Sequence, residues 1–327
     1  MTTSTVPAPA ASPDRARAAA ARPRSPRRPT GRVLAPYGFL APAAVLFAAF
    51  LALPIGYAAY LSLRTVKVSG LGLGKGSRRE IWAGLDNYAR SLSDPEFLGS
   101  VGRVGLYGLI VVPTMLGLAL LFALLLDSRR TRGRNFSRVA IFLPYAVPAV
   151  ISSLLWGFLY LPAVSPFYYV FQHAGWDVPT IMSSRLVVFA VANIAVWGGT
   201  GFNMVVIYTA LKAIPTELYE AATIDGASEL AIAWRIKIPI VMPALIMTFV
   251  FSMIATLQVF AEPVTLKPLT NTISSTWTPL MKVYRDAFTR DDLYSAAATS
   301  VVIAAATFIL SFGFLRLVQN RAFSQEK

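Results

Sequence analysis

The segment that decides the reading runs from Glu217 to Pro243, ELYEAATIDGASELAIAWRIKIPIVMP, a polar island between two long apolar runs. Charged side chains and a glycine interrupt an otherwise lipid-soluble sequence, so a membrane-embedded chain is built to touch something in water here. Pro215 suits a first helical turn, where its missing N–H is not needed, and Glu217 sits near the positive helix end. Glu220, Ala221 and Ala222 continue that helix, and Asp225-Gly226 ends it, because glycine supplies the positive φ of a helix stop. Ser228 can cap a second short helix, from Glu229 to about Ile236, which Pro239 and Pro243 are expected to stop. Leu230, Ala233 and Trp234 recur at helical spacing and offer an apolar side to a groove on another protein.

Composition sets the surroundings of that island. Of 327 residues 55% are hydrophobic and 14% charged, and the mean hydropathy of +0.57 is too high for an ordinary water-soluble domain. The absence of cysteine rules out disulfides and thiolate metal sites, and the single His173 cannot form a histidine cluster. A redox or zinc enzyme is not expected on that ground. The net charge of +14 is concentrated in part in the leader, where Arg15, Arg17, Arg22, Arg24, Arg27, Arg28 and Arg32 stand among Ala, Pro, Ser and Thr. Such a composition cannot bury enough apolar surface to fold, so residues 1–34 read as a disordered basic leader acting as a topology signal.

An apolar run of ~20 residues crosses a hydrocarbon layer of ~30 Å. Six runs qualify: Tyr37 to Leu63, Leu98 to Leu126, Val139 to Leu161, Leu186 to Leu211, Ala244 to Phe260, and Ala296 to Val318. The expectation is an all-α, polytopic membrane protein whose prolines at 54, 113, 144 and 148 kink their helices. The first run is longer than a cleavable signal core and is retained. The expected organisation is leader 1–34, first span and outer loop 35–97, a core of five spans over 98–321 with its polar loop at 215–243, and a tail 322–327. An even number of spans puts both termini on one side. That side also gathers Arg129, Arg130, Arg132, Arg134, Arg138, Lys212, Arg235, Lys237, Arg316, Arg321 and Lys327, against Arg64, Lys67, Lys75, Arg78, Arg79, Arg90, Lys267, Lys282, Arg285 and Arg290 on the other, a bias that favours the cytoplasm for the leader and tail.

At Glu220, Ala221, Ala222, Gly226, Ile236, Ile238 and Pro239 the chain resembles the permease subunits of ATP-binding-cassette importers, whose cytoplasmic signature has these residue types at these intervals. Further stretches resemble the carbohydrate-type branch, relatives of maltose and glycerol-phosphate permeases: Gly84 to Tyr88, Phe142-Leu143-Pro144, Lys212 to Pro215, Tyr284 to Phe288, and Tyr294-Ser295-Ala296. The likeness covers about Tyr37 to Arg321. One departure is Leu266-Lys267-Pro268-Leu269-Thr270, where the branch often has a Gly-Gly-Pro turn. The resemblance implies a type I importer fold with Glu220, Ala221, Ala222, Asp225, Gly226, Leu230, Ile236 and Pro239 contacting an ATPase. It also implies partners: a second permease subunit, two cytoplasmic ATPase subunits that bind ATP and Mg, and an extracytoplasmic solute-binding protein, in a bacterial plasma membrane. No cofactor is expected in this chain. Its own phosphate-loop-like run, Gly70 to Gly76, has the wrong residues at the deciding positions and lies outside the membrane.

The same resemblance implies that the fourth and fifth spans line the substrate path. Trp197, Gly199, Phe202 and Asn203 mix aromatic, small and amide groups at membrane depth, and Ser252 and Thr256 share a helix face with Gln258 close by. Aromatic faces and hydroxyl or amide groups suit sugar rings, although small residues also pack helices and Ser or Thr bond their own backbone. An ion-coupled transporter acting alone would keep charged residues inside its spans, and only Arg103, Arg185 and Glu262 come near them. A membrane enzyme would need an acidic or histidine cluster at the interface, which is missing.

Overall fold

A computed structural model describes residues 31–68, 78–128, 131–176 and 179–322. Most of the basic leader, the glycine run at 70–76 and the end of the tail lie outside them. The chain divides into two compact units, Met1–Gly56 and Tyr57–Lys327. The first span is helical as α1 (Gly31–Phe47), a π turn (Ala48–Ala52) and α2 (Leu53–Ser62). Pro54 follows the π turn inside one continuous helix, and that loosened turn accommodates its missing N–H.

After α2 the outer loop forms a two-stranded antiparallel hairpin, β1 (Arg64–Val68) with β2 (Arg78–Trp82), the one addition among the described residues to the all-helical expectation. Gly84 turns the chain at φ 55° into α3 (Asp86–Ser93). The motif at Gly84 to Tyr88 then has a structural reason. Buried Asn87 donates both amide hydrogens, to the carbonyls of Ser62 at 2.8 Å and Arg64 at 2.7 Å, and so ties α3 to the hairpin's base.

The centre of the second unit is the pair α4 (Pro95–Asp127) and α8 (Val187–Lys212), which run in the same direction. Val104, Tyr107, Val111 and Met115 meet Val187 to Ile194 at one end, and Ala119, Ala123 and Leu126 meet Met204, Ile207 and Leu211 at the other. Antiparallel to both lies α11 (Ile238–Leu257), with Val241 in the second cluster and Val259, just past its end, in the first. Among the described residues five helices are long and apolar enough to span a membrane, and a bent pair supplies a sixth. Four expected spans match within a few residues, the last as α14 (Leu293–Ala322).

Two spans differ from expectation. The third is broken into α5 (Arg134–Phe142), a 3-10 turn (Leu143–Ala146) and α6 (Ala149–Tyr160), with a bend of 96°, and the short α7 (Pro166–His173) follows before α8. Pro148 forces Val147 into extended backbone at ψ 126°, so the kink expected of Pro144 and Pro148 becomes a full break. At the fifth span Pro239 and Pro243 do not stop the helix that follows Ser228. It continues from α10 (Glu229–Ile232) through a π turn (Ala233–Lys237) into α11, with Pro239 in the first turn and Pro243 inside. A membrane helix accommodates both once the turn before them is already loosened.

Gly201 is the pivot of the broken span: a Cβ there would strike the Ile141 carbonyl oxygen and lie 2.7 Å from Phe142 Cα. Backbone cannot yield as a side-chain tip can. At the far end of the bundle, α12 (Ala261–Leu266) and a 3-10 turn (Lys267–Leu269) replace the Gly-Gly-Pro turn, and Leu266 and Leu269 pack on Gly157. Beyond them α13 (Pro279–Phe288) carries Lys282 and Asp286, each 4% exposed and 2.5 Å apart; Lys282 also lies 3.1 Å from Asp94, and Arg285 lies 2.8 Å from Glu96. Burial works against charge on Asp94, but the Glu96 amide and the Lys282 ammonium outweigh it and hold the carboxyl below the usual carboxylate range.

Two outcomes follow. Gly201→Ala lowers stability by about 1–3 kcal/mol through overpacking, whereas Gly102→Ala, with open space around it, does not; thermal unfolding in detergent separates them. A depressed carboxyl contributes stability that is present at neutral pH and lost as pH falls through its folded value. Acidification below about pH 4 therefore weakens the Asp94–Lys282 tie, and Asp94→Asn lowers the melting temperature at pH 7 while flattening the acid limb.

Candidate coupling surface and translocation cavity

The signature segment folds as α9 (Thr216–Ile224), a turn, and α10. Pro215 occupies the N-cap rather than the first turn, with ψ 136°, and Glu217 lies in the first turn as expected. Gly226 closes α9 at φ 79°. The Ala227 amide reaches back to the Ala222 carbonyl at 2.9 Å and the Gly226 amide to that of Thr223 at 3.1 Å, a paired C-terminal cap that only a left-handed residue permits. Ser228 accepts from the Ala231 amide at 3.2 Å and starts α10. The spacing between Ala222 and Ser228 is thus spent on one rigid turn.

Most signature residues face outward. Glu220, Ala221, Asp225, Gly226, Leu230 and Pro239 are exposed, and Ala222 and Ile236 are half-buried. Leu230 and Trp234, one turn apart, are 68% and 67% exposed, and Ile224 is 86% exposed. Ala233 is half-buried beside them. Ile224 was not legible as a contact residue, since it matches no position of the signature; its place at the last turn before Gly226 exposes it. On the inner side Ile214 and Ile232 hold the segment against the bundle.

A carboxylate fixes this segment to the long helices. Asp127, at the end of α4 and 4% exposed, receives Lys212 from the end of α8 at 2.7 Å and Lys237 from the π turn after α10 at 2.5 Å. The Lys237 ammonium also lies 4.8 Å from the ring centre of Tyr219 on α9. The neighbouring Asp127 charge adds to burial in pushing the Tyr219 phenol up to about 12. Glu229 is held to the same corner by the Ser128 hydroxyl at 3.1 Å.

Between α4, the broken span, α8 and α11 lies a cavity of about 820 Å³, within the range of small-molecule sites. Gly199, Phe202, Asn203, Ser252, Thr256 and Gln258 line it together. Trp197 does not: it is turned onto Trp156, edge to face with ring centres 5.9 Å apart. Asn203 bonds the Gly199 carbonyl at 3.0 Å and receives Ser252 Oγ at 3.4 Å, and Thr256 bonds its own helix at the Ser252 carbonyl at 2.7 Å. The Ser252–Asn203 bond therefore joins α11 to α8 at the cavity wall, while the other two bonds stay within their own helices. The wall contains residues that spacing did not reveal: Tyr107 and Met115 from α4, Tyr145 stacked on Phe202 at 4.9 Å, Ser152, and Glu262 from α12. The two prolines of the third span were the available signal, because the break brings Pro144 to Ala149 to the wall.

Asp127→Ala leaves the low-exposure Lys237 without its counter-charge and costs about 3–5 kcal/mol. The double variant Asp127→Ala/Lys237→Met recovers a large part of that loss, read as coupling energy in a double-mutant cycle of thermal or denaturant unfolding.

A family model described as binding-protein-dependent transport system inner membrane component matches residues 115–325. The sn-glycerol-3-phosphate transport system permease protein UgpA of Agrobacterium fabrum is 31% identical over 291 residues, covering 88% of this chain and 95% of the relative. UgpA of Escherichia coli O157:H7 is 30% identical over 290 residues, covering 88% and 94%. Among solved structures, a bacterial ABC transporter involved in the import of the acidic polysaccharide alginate has a chain that superposes with a TM-score of 0.76 at 19% identity, covering 89% of this chain and 96% of that one. That likeness carries the fold. The chain belongs to the family of binding-protein-dependent transport system inner membrane components, and is a multi-pass membrane permease subunit of the ABC importer type.

Proposed function

We propose that this chain, paired with a second permease subunit, forms the path for a sugar or related polyol and takes its driving force from two separate cytoplasmic ATPase subunits. An extracytoplasmic solute-binding protein delivers the cargo. A solved alginate ABC transporter holds an oligosaccharide-bound periplasmic protein, which supports that partner class. ATP and Mg belong to the ATPase partners, and both termini of this chain face the cytoplasm of a bacterial cell.

The observation that carries the reading is the turn at Gly226. An apolar, outward-facing surface of Ile224, Leu230 and Trp234 surrounds a glycine whose conformation stops one short helix and starts another. Asp127 ties that surface to α4, α8 and α11, which line the cavity. A rigid-body movement of a docked ATPase is thereby passed to the cavity walls, the kind of bistable change that alternates access. Glu220, Ala221, Ala222, Asp225, Ile236 and Pro239 shape the docking segment. Phe202 and Tyr145 offer aromatic faces to sugar rings, and Asn203, Ser252, Thr256 and Gln258 offer hydrogen-bonding groups. Among the described residues, Glu262 is the feature favouring an ion-coupled transporter, because it is a carboxylate within a span.

Gly226→Val places a β-branched side chain at positive φ, at a cost of about 1–2 kcal/mol to the turn alone. In the complete importer reconstituted with its binding protein, ATP-driven uptake falls at least about tenfold, the factor that 1.4 kcal/mol represents, while the permease pair still assembles. Unchanged uptake contradicts the coupling role. Solute uptake by this chain alone under an ion gradient replaces the reading with the ion-coupled one.

A further inference from the structure

The relatives and the structural neighbour named above handle anions by their own descriptions: a phosphate ester and an acidic polysaccharide. The cavity of this chain is charged the wrong way for such cargo. Its hydrogen-bonding wall is neutral at Tyr107, Tyr145, Ser152, Asn203 and Gln258, and among the described residues its one carboxyl is Glu262 and no Lys or Arg lines it. Glu262 forms no ion pair among the described residues. The cations that could have served are committed elsewhere. Arg103, one turn before Tyr107 on α4, donates from Nε to the Trp277 carbonyl at 3.0 Å and from Nη2 to that of Thr276 at 2.9 Å. Lys212 and Lys237 are held on Asp127.

We propose that Glu262 sorts cargo by charge, so that this wall of the path accepts neutral polyhydroxylated solutes and rejects phosphorylated or uronate ones. The inference rests on the cavity being the path, as proposed above. Recognition of a phosphate or carboxylate uses cationic, preferably bidentate donors, and this wall supplies none. A carboxylate instead accepts hydrogen bonds from sugar hydroxyls, and in a cleft with low-dielectric walls it repels an approaching anion. The neutral hydroxyl and amide groups around it complete a surface for sugar hydroxyls.

The test uses a property of the sequence: the chain has no cysteine. Single cysteines are placed at Ala255 and at Ala149, both on the cavity wall and both exposed. In the assembled importer each is treated with a cationic (trimethylammonium) and an anionic (sulfonate) ethyl methanethiosulfonate, and modification of this chain is followed by intact mass. The cation-to-anion rate ratio is expected to exceed that of free 2-mercaptoethanol by at least about tenfold, the lower end of field focusing in a charged cleft. Adding Glu262→Gln collapses the ratio to the free-thiol value, and Glu262→Asp restores most of it. A wild-type ratio equal to the free thiol, or one that Glu262→Gln leaves unchanged, overturns the proposal. So does failure of both reagents at both positions, because a sealed cavity sorts nothing. The readout needs no ATP turnover. A charge preference that persists while Gly226→Val leaves uptake intact therefore removes the coupling reading and leaves the cavity's charge selection standing.

Discussion

One buried carboxylate holds the architecture together. Asp127 ends α4, and its two oxygens are occupied by Lys212 from α8 and Lys237 from the π turn that leads into α11. Taking such charges out of water costs several kcal/mol each, which the pairing offsets only if the geometry is maintained. The consequence is specificity of arrangement more than bulk stability. Any displacement of the π turn relative to the two parallel helices leaves a carboxylate with 4% exposure or an ammonium with 13% exposure unpaired. The three elements therefore share a fixed corner. The ring of Tyr219 over Lys237 brings α9, the signature helix, into the same corner.

From that corner the helices reach the cavity within a few turns. Their middle portions carry the residues that let them approach closely: Gly108 faces Thr256, Gly199 lies under Met115, and Gly201 meets the backbone of the broken span. Close helix contact through small residues is how membrane bundles pack where lipid is as apolar as leucine. The break at Val147-Pro148 opens the wall that the other helices leave incomplete, and it places Tyr145 where it stacks on Phe202. A load applied at Ile224 or Trp234 thus has a short, stiff route to the residues that line the cavity.

How much of this was legible in the sequence depends on the range of the interaction. Span number and the ends of four spans were readable because hydrophobic run length is a local property, as the match of α8 to the run from Leu186 to Leu211 illustrates. The cap at Gly226 was readable for the same reason, since a glycine before a Ser–Glu pair sets its own backbone. The clamp was not. Asp127 looks like an ordinary polar residue at a span's end, and its partners lie 85 and 110 residues away. Trp197 was misplaced as a cavity residue because a 26-residue helix with apolar residues on every side gives no phase, and only packing against Trp156 fixes which way it turns. Glu262 reads as an edge residue because it falls two positions past the apolar run that ends at Phe260, whereas α12 folds it back to the wall.

Through the Asp127 clamp, the Gly226 segment and the cavity helices are expected to move as one body. Pulsed electron resonance on the cysteine-free background tests it, with spin labels at Ile224 and at Leu125, both exposed and on the two sides of the clamp. One narrow distance is expected to persist with and without ATP in the assembled importer, and the distribution is expected to broaden in Asp127→Ala. A distance that shifts with nucleotide in the native protein, or one that Asp127→Ala leaves narrow, contradicts it.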